Sequence, residues 1–139
     1  MLALSVLTTR IAAQMPQLKR VAGFADLVAA RGKVTVFPAA YVIPERESAE
    51  ENSLIGIHDQ RISESFTVLL LAKNVTDARG LAAQEEVKAL SDALRAALLG
   101  WQPSTAHTPL DLVSAGPLEL ADQILFWPET YKTRYYVRN

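Results

Sequence analysis

The chain has 139 residues, half of them hydrophobic and 21% charged, an ordinary globular composition that suffices for one core removing about two thirds of the unfolded surface from water. Its formal net charge of −1 leaves no general surplus of Lys and Arg to hold a nucleic acid or an anionic membrane. It has no cysteine, which excludes disulfides, thiolate nucleophiles and Cys-ligated zinc.

The chain starts apolar, Met1-Leu2-Ala3-Leu4, and Arg10 ends the run too early for a membrane span. Without a basic n-region, no export signal is expected. Leu4, Leu7, Ile11, Met15 and Leu18 recur at helical spacing and predict a first helix that Pro16 ends. A second short helix is expected over Phe24 to Ala30, closed by Gly32, so that residues 1–31 form a helical N-terminal part. Val34 to Phe37 and Tyr41 to Ile43 are rich in β-formers, but Pro38 and Pro44 each remove a donor, which predicts a bent or edge strand. Residues 45–62 mix Glu, Ser, Asn, Gly and His without periodicity and read as a long acidic loop.

From Phe66 to Lys73 both alternating sets are largely apolar, as in a central strand covered on both faces. Asn74 to Gly80 form a turn into the strongest helix. There Val87, Leu90, Leu94, Ala97 and Leu98 make an apolar stripe, and Gly100 suits a left-handed cap. Short strands follow at Leu110 to Ser114, Leu118 to Leu120 and Ile124 to Trp127. The tail from Glu129 alternates, with Tyr131, Thr133, Tyr135 and Val137 on one side and Lys132, Arg134, Tyr136 and Arg138 on the other. The expected architecture is a single α+β domain over residues 1–139: a small, mostly antiparallel sheet, one long crossover helix, and the N-terminal helices packed beside it.

Little in the sequence points to chemistry. The glycines at 23, 32, 56, 80, 100 and 116 are too dispersed for a phosphate-binding or dinucleotide loop. His58-Asp59 beside Ser63 and Ser65 lacks a nucleophile elbow. Both His58 and His107 are expected at solvated surface. Glu45, Glu47, Glu50 and Glu51 lack the spacing and glycine pivot of a calcium loop. Asn74-Val75-Thr76 is a glycosylation sequon by letter only. No catalytic residue, metal or cofactor is assigned.

Charge is segregated along the chain. Residues 1–44 carry Arg10, Lys19, Arg20, Arg31 and Lys33 against Asp26, whereas residues 45–64 carry six acids against Arg46 and Arg61. Trp101, Phe126, Trp127, Tyr131, Tyr135 and Tyr136 all fall in the last third, and aromatics with one wet end suit interfaces. Tyr136 lies between Arg134 and Arg138 on the polar side of the last strand. The interface candidates are therefore Glu45, Glu47, Glu50 and Glu51 on one side and Lys132, Arg134, Tyr136 and Arg138 on the other, as complementary halves of a head-to-tail contact that closes a ring or extends a filament.

Phe37-Pro38-Ala39-Ala40-Tyr41-Val42-Ile43-Pro44, the strand before Asn74, Leu98-Leu99-Gly100-Trp101-Gln102-Pro103, Pro109-Leu110, and Ile124-Leu125-Phe126-Trp127 before a Tyr-Lys-Thr-Arg tail follow one another in order. In that order and spacing, over roughly residues 34–138, the chain resembles the tail terminator proteins of long-tailed phages and related tail-like or gene-transfer particles. The resemblance implies a structural virion subunit assembled in the host cytoplasm. It would form a hexameric ring on the head-proximal end of the tail tube, stop polymerisation of the tube protein and offer a surface to a neck or head-completion protein. No cofactor, membrane or sequence-specific nucleic acid is implied, although DNA passes through such a ring. The alternatives are a neighbouring neck or tail-completion protein, a ferredoxin-like small-molecule-binding or enzymatic domain, and a generic soluble dimer.

Overall fold

The structure, a computed structural model, describes residues 1–30, 33–73 and 81–139. Helix α1 covers Leu4–Gln14 and turns Leu7 and Ile11 into the core, as their spacing predicts. It stops where Met15, fully buried, donates its backbone N–H to the Ile11 carbonyl and Pro16 follows. Strand β1 (Arg20–Gly23) comes next and runs directly into α2 (Phe24–Ala30). The N-terminal part is thus not purely helical. Four residues are too few to show a β period, and β1 exists because its backbone pairs in parallel with Ala39–Val42.

Strand β2 spans Ala39–Ala49 and β3 spans Asp59–Lys73. The expected loop over 45–62 is therefore mostly hairpin, with only 50–58 as the connection. Arg46 to Ala49 pair antiparallel with Ile62 to Ser65 after a bulge beyond Pro44. Sheet pairing is a backbone property, so a stretch polar on both faces can join a ladder without showing apolar alternation. Nor is β2 an edge over its first half, because β1 covers it there. Pro44 falls beyond the β1 pairing and beside the bulge, where its missing donor is tolerated.

Helix α3 (Leu81–Leu98) buries Val87, Leu90, Leu94, Ala97 and Leu98 as predicted, and Gly100 takes the left-handed conformation at φ 75° just after it. The expected turn over 74–80 and the closing role of Gly32 lie outside the described residues. Strands β4 (Asp111–Ala115) and β5 (Glu119–Ala121) precede β6 (Ile124–Arg138), one continuous strand where two segments separated at Pro128 were expected. β5 and β4 pair with β6 on either side of Pro128, so its missing N–H falls between two ladders.

The sheet order is β1-β2-β3-β6-β4, with β5 also on β6. Only the β1–β2 pair is parallel. One face packs Val42, Phe66, Val68, Leu70 and Tyr131 against Leu7, Ile11 and Met15 of the N-terminal segment and Leu90, Leu94 and Leu98 of α3. The Phe66 and Tyr131 rings stack with centroids 5.8 Å apart. The opposite face holds a smaller cluster, Ala39, Tyr41, Leu71 and Ile124, against Leu27 of α2, Val34 and Phe37. The sheet outruns this cover. β1 reaches only Val42 and β4 only Lys132, so the far halves of β2, β3 and β6 extend as a three-stranded arm.

Candidate assembly surfaces

At the root of the arm a carboxylate ties α3 to the sheet. Glu129 is fully buried and accepts hydrogen bonds from Ser91 Oγ, Trp127 Nε1 at 2.8 Å, Tyr131 OH at 2.7 Å and the Arg95 guanidinium at 3.1 Å. Burial raises its pKa, but the four donors outweigh that and hold it below the ordinary value of 4.5. Burial, then the bond it donates to Glu129, pushes the Tyr131 phenol well up. This network fixes the fold and makes no open site. Its sequence signal was indirect: Glu129 falls on the Tyr131 side of the strand, where a lone carboxylate needs partners.

A second buried pair lies nearer the arm. Glu64 Oε1 accepts the backbone N–H of Leu2 at 2.7 Å, and its Oε2 stands 3.7 Å from His107 Nε2, neither of these two atoms having a hydrogen-bond partner. His107 is therefore not at solvated surface. Its side chain is only 11% exposed, with Nδ1 2.6 Å from Ser104 Oγ and its ring against that of Tyr135. Ser104 Oγ also accepts the N–H of Ala106, so this serine closes its own turn.

The eight interface candidates all sit on the arm or its tip, but not as two separate halves. The acids lie on and just beyond β2 and the bases on β6, flanking β3 within one sheet. Glu45 accepts from Thr67 Oγ1 at 2.8 Å. Glu47, opposite Glu64, accepts from Tyr135 OH at 2.7 Å, and this bond chiefly lowers its pKa. Burial, then the same bond, pushes Tyr135 up to about 12. Glu50 is 3.9 Å from Arg61, and Glu51 is exposed. Arg138 pairs with Asp59 at 3.0 Å and lies over the Tyr136 ring at 4.8 Å. Directly opposed residues share a face, so Lys132, Arg134 and Tyr136 lie with Ser65, Ser63 and Arg61 on the same face as Leu71 and Phe126, beyond the part of it that α2 covers.

Sequence reasoning missed the tip of the arm. In the 50–58 connection Leu54, Ile55 and Ile57 are 47%, 101% and 60% exposed around Gly56 at φ 79°. The readable signal was an apolar Leu-Ile-Gly-Ile run inside a polar stretch, which has no packing partner nearby in sequence.

A mixed sheet packed by α1 and α3 on one face and α2 on the other, with a projecting arm and an apolar tip, suits a subunit that meets neighbours. The sequence model of the phage tail terminator protein family matches residues 1–139. This chain belongs to that family. It is accordingly a structural protein of phage-type tails, and family membership favours a non-enzymatic role. Among solved structures, the terminator chain is similar to a chain of the "Virion of native gene transfer agent (GTA) particle", with a TM-score of 0.52 and 18% identity over 91% of this chain and 84% of that one. At that identity the likeness is one of fold. No curated protein sequence matches the terminator significantly. None of its described helices is long and apolar enough to cross a membrane.

Proposed function

We propose that this terminator assembles in the host cytoplasm as a hexameric ring on the head-proximal end of a tail tube, ends polymerisation of the tube protein, and presents the surface on which a neck or head-completion protein joins. The family match over the whole chain carries the reading. The arm supports it, because a three-stranded projection tipped by the exposed Leu54, Ile55 and Ile57 suits a surface that a partner covers. The similar fold of a gene transfer agent virion chain agrees with a place in a tail-bearing particle. The action is steric. One side of the ring matches the last tube ring, and the other does not resemble a tube subunit and recruits no more of them. Lys132, Arg134 and Tyr136, on the uncovered face of the arm, are the contacts assigned to tube or neck, and DNA passes through the lumen without sequence readout.

Electron microscopy of particles made without this chain tests the reading. Tubes of uncontrolled length without heads are expected, restored to one length by the chain supplied in trans. Tails of normal length joined to heads in its absence would refute it.

A further inference from the structure

The acidic and basic segments of the sequence become the two ends of the folded molecule. Lys73 closes β3 and Pro38 precedes β2, whereas the hairpin tip lies beyond Asp59 at the other end of the same strand. β3 has 15 residues, so at about 3.3 Å per residue the two ends are about 45 Å apart and cannot meet within one chain.

At the basic end is a groove of about 520 Å³ with Val36, Phe37 and Pro38 in its lining and Lys19, Lys73 and Glu86 around them. Lys33 and the Arg20–Asp26 pair line an adjoining groove that shares Val36. Lys19, Lys33 and Lys73 have no ion pair among the described residues, and Val36 is itself exposed. Among the described residues this end therefore offers apolar surface framed by three lysines without an ion pair, with Glu86 and the Arg20-paired Asp26 as the acids beside them. The tip offers the converse, with Leu54, Ile55 and Ile57 beside the exposed Glu51 and Glu50, the latter 3.9 Å from Arg61 in an exposed pair, and no Lys or Arg between 50 and 58. The groove between α3 and β5 is a poorer match, since Lys88 and Arg95 there are balanced by Glu85 and Asp92.

We propose that the hairpin tip of one copy seats its isoleucines in the Val36–Phe37 groove of the next copy, with Glu50 and Glu51 facing Lys19 and Lys73. The contact is heterologous, so each copy gives a tip and receives one, and only a closed ring leaves none bare. It rests on the ring reading above and names the contact that builds the ring. It also revises the pairing expected from sequence: the acidic partner is the tip, and the basic partner is the Lys19–Lys73 groove at the opposite end of β3 in place of β6.

The absence of cysteine makes cross-linking a clean test. Ile55→Cys and Val36→Cys chains, mixed and treated with a short bismaleimide, should give a covalent dimer. The double variant should give a ladder ending at the ring, and neither single variant alone should cross-link. Lys19→Glu with Lys73→Glu should weaken assembly at low salt at least about tenfold, with partial recovery on adding Glu50→Lys and Glu51→Lys. Ile55→Cys cross-linking to itself, or native-sized rings without any mixed cross-link, would overturn the contact while leaving the ring. A monomer at every concentration, with or without tube ends, would overturn the ring and the contact together.

Discussion

Glu129→Gln is the most exposing single change for the fold that carries the arm. The amide keeps the shape of the side chain but removes its charge, and its NH2 faces donors where a carboxylate oxygen accepted from Ser91, Trp127, Tyr131 and Arg95. Arg95 is about one-third exposed, so water screens its part of the loss. The neutral donors are inside, and hydrogen bonds to a charged acceptor contribute about 1.5–3 kcal/mol each without adding fully. With half of the geometry retained by the amide, the expected cost is about 3 kcal/mol, which for a chain of this size lowers Tm by about 10 °C. Thermal unfolding by circular dichroism measures it, and a double-mutant cycle with Ser91→Ala should return a coupling of about 1–2 kcal/mol. A Tm within about 2 °C of wild type would refute the claim that this carboxylate ties α3 to the sheet. The pH dependence has a fixed sign. Because the folded pKa of Glu129 is depressed below 4.5, the unfolded chain takes up the proton first. The stabilisation is full above about pH 5 and declines as pH falls through the folded value. Glu129→Gln should flatten that decline.

Three further outcomes follow from the geometry. Leu94→Ala removes a fully buried side chain between α3 and the sheet and should cost about 2–5 kcal/mol in chemical denaturation. Gly100→Ala, at φ 75° with open space around its Cβ, should cost about 1 kcal/mol from backbone strain alone, read by the same assay. In an absorbance titration Tyr135, held at about 12 by burial and its bond to Glu47, should ionise well above the ordinary phenol value of 10. Glu47→Gln should bring it earlier, and stability contributed by the bond is lost as pH rises from about 10 through about 12.

The elements legible in sequence are those that bury a periodic face. α1, α3 and the Phe66–Ala72 stretch advertise themselves because each presents an apolar stripe to one core. What was illegible depends on remote backbone partners. β1 has no pattern of its own, the outer half of β2 is polar on both faces, and β6 runs through Pro128 only because β4 and β5 leave that position unpaired. The candidate surface shows the same division. The positions of the charges could be read, and all eight candidates fall on the arm or its tip. Their partners could not, because Glu47–Tyr135 and Asp59–Arg138 are bonds across about 80 residues. Leu54, Ile55 and Ile57 were overlooked because an apolar run within a polar stretch gives no period.

The position of β6 decides when the sheet can form. It is the last of the described strands in sequence, yet it occupies the interior of the sheet between β3 and β4 and supplies Tyr131 and Glu129 to the packing beneath α3. A nascent chain therefore cannot close its sheet until residue 138 has left the ribosome, and the long separations make closure slow relative to the helices. Prematurely ended chains lack the strand that β3, β4 and β5 all require. They are left with open edges, which are an aggregation hazard. Closure of the sheet, and with it formation of the arm, thus waits on β6.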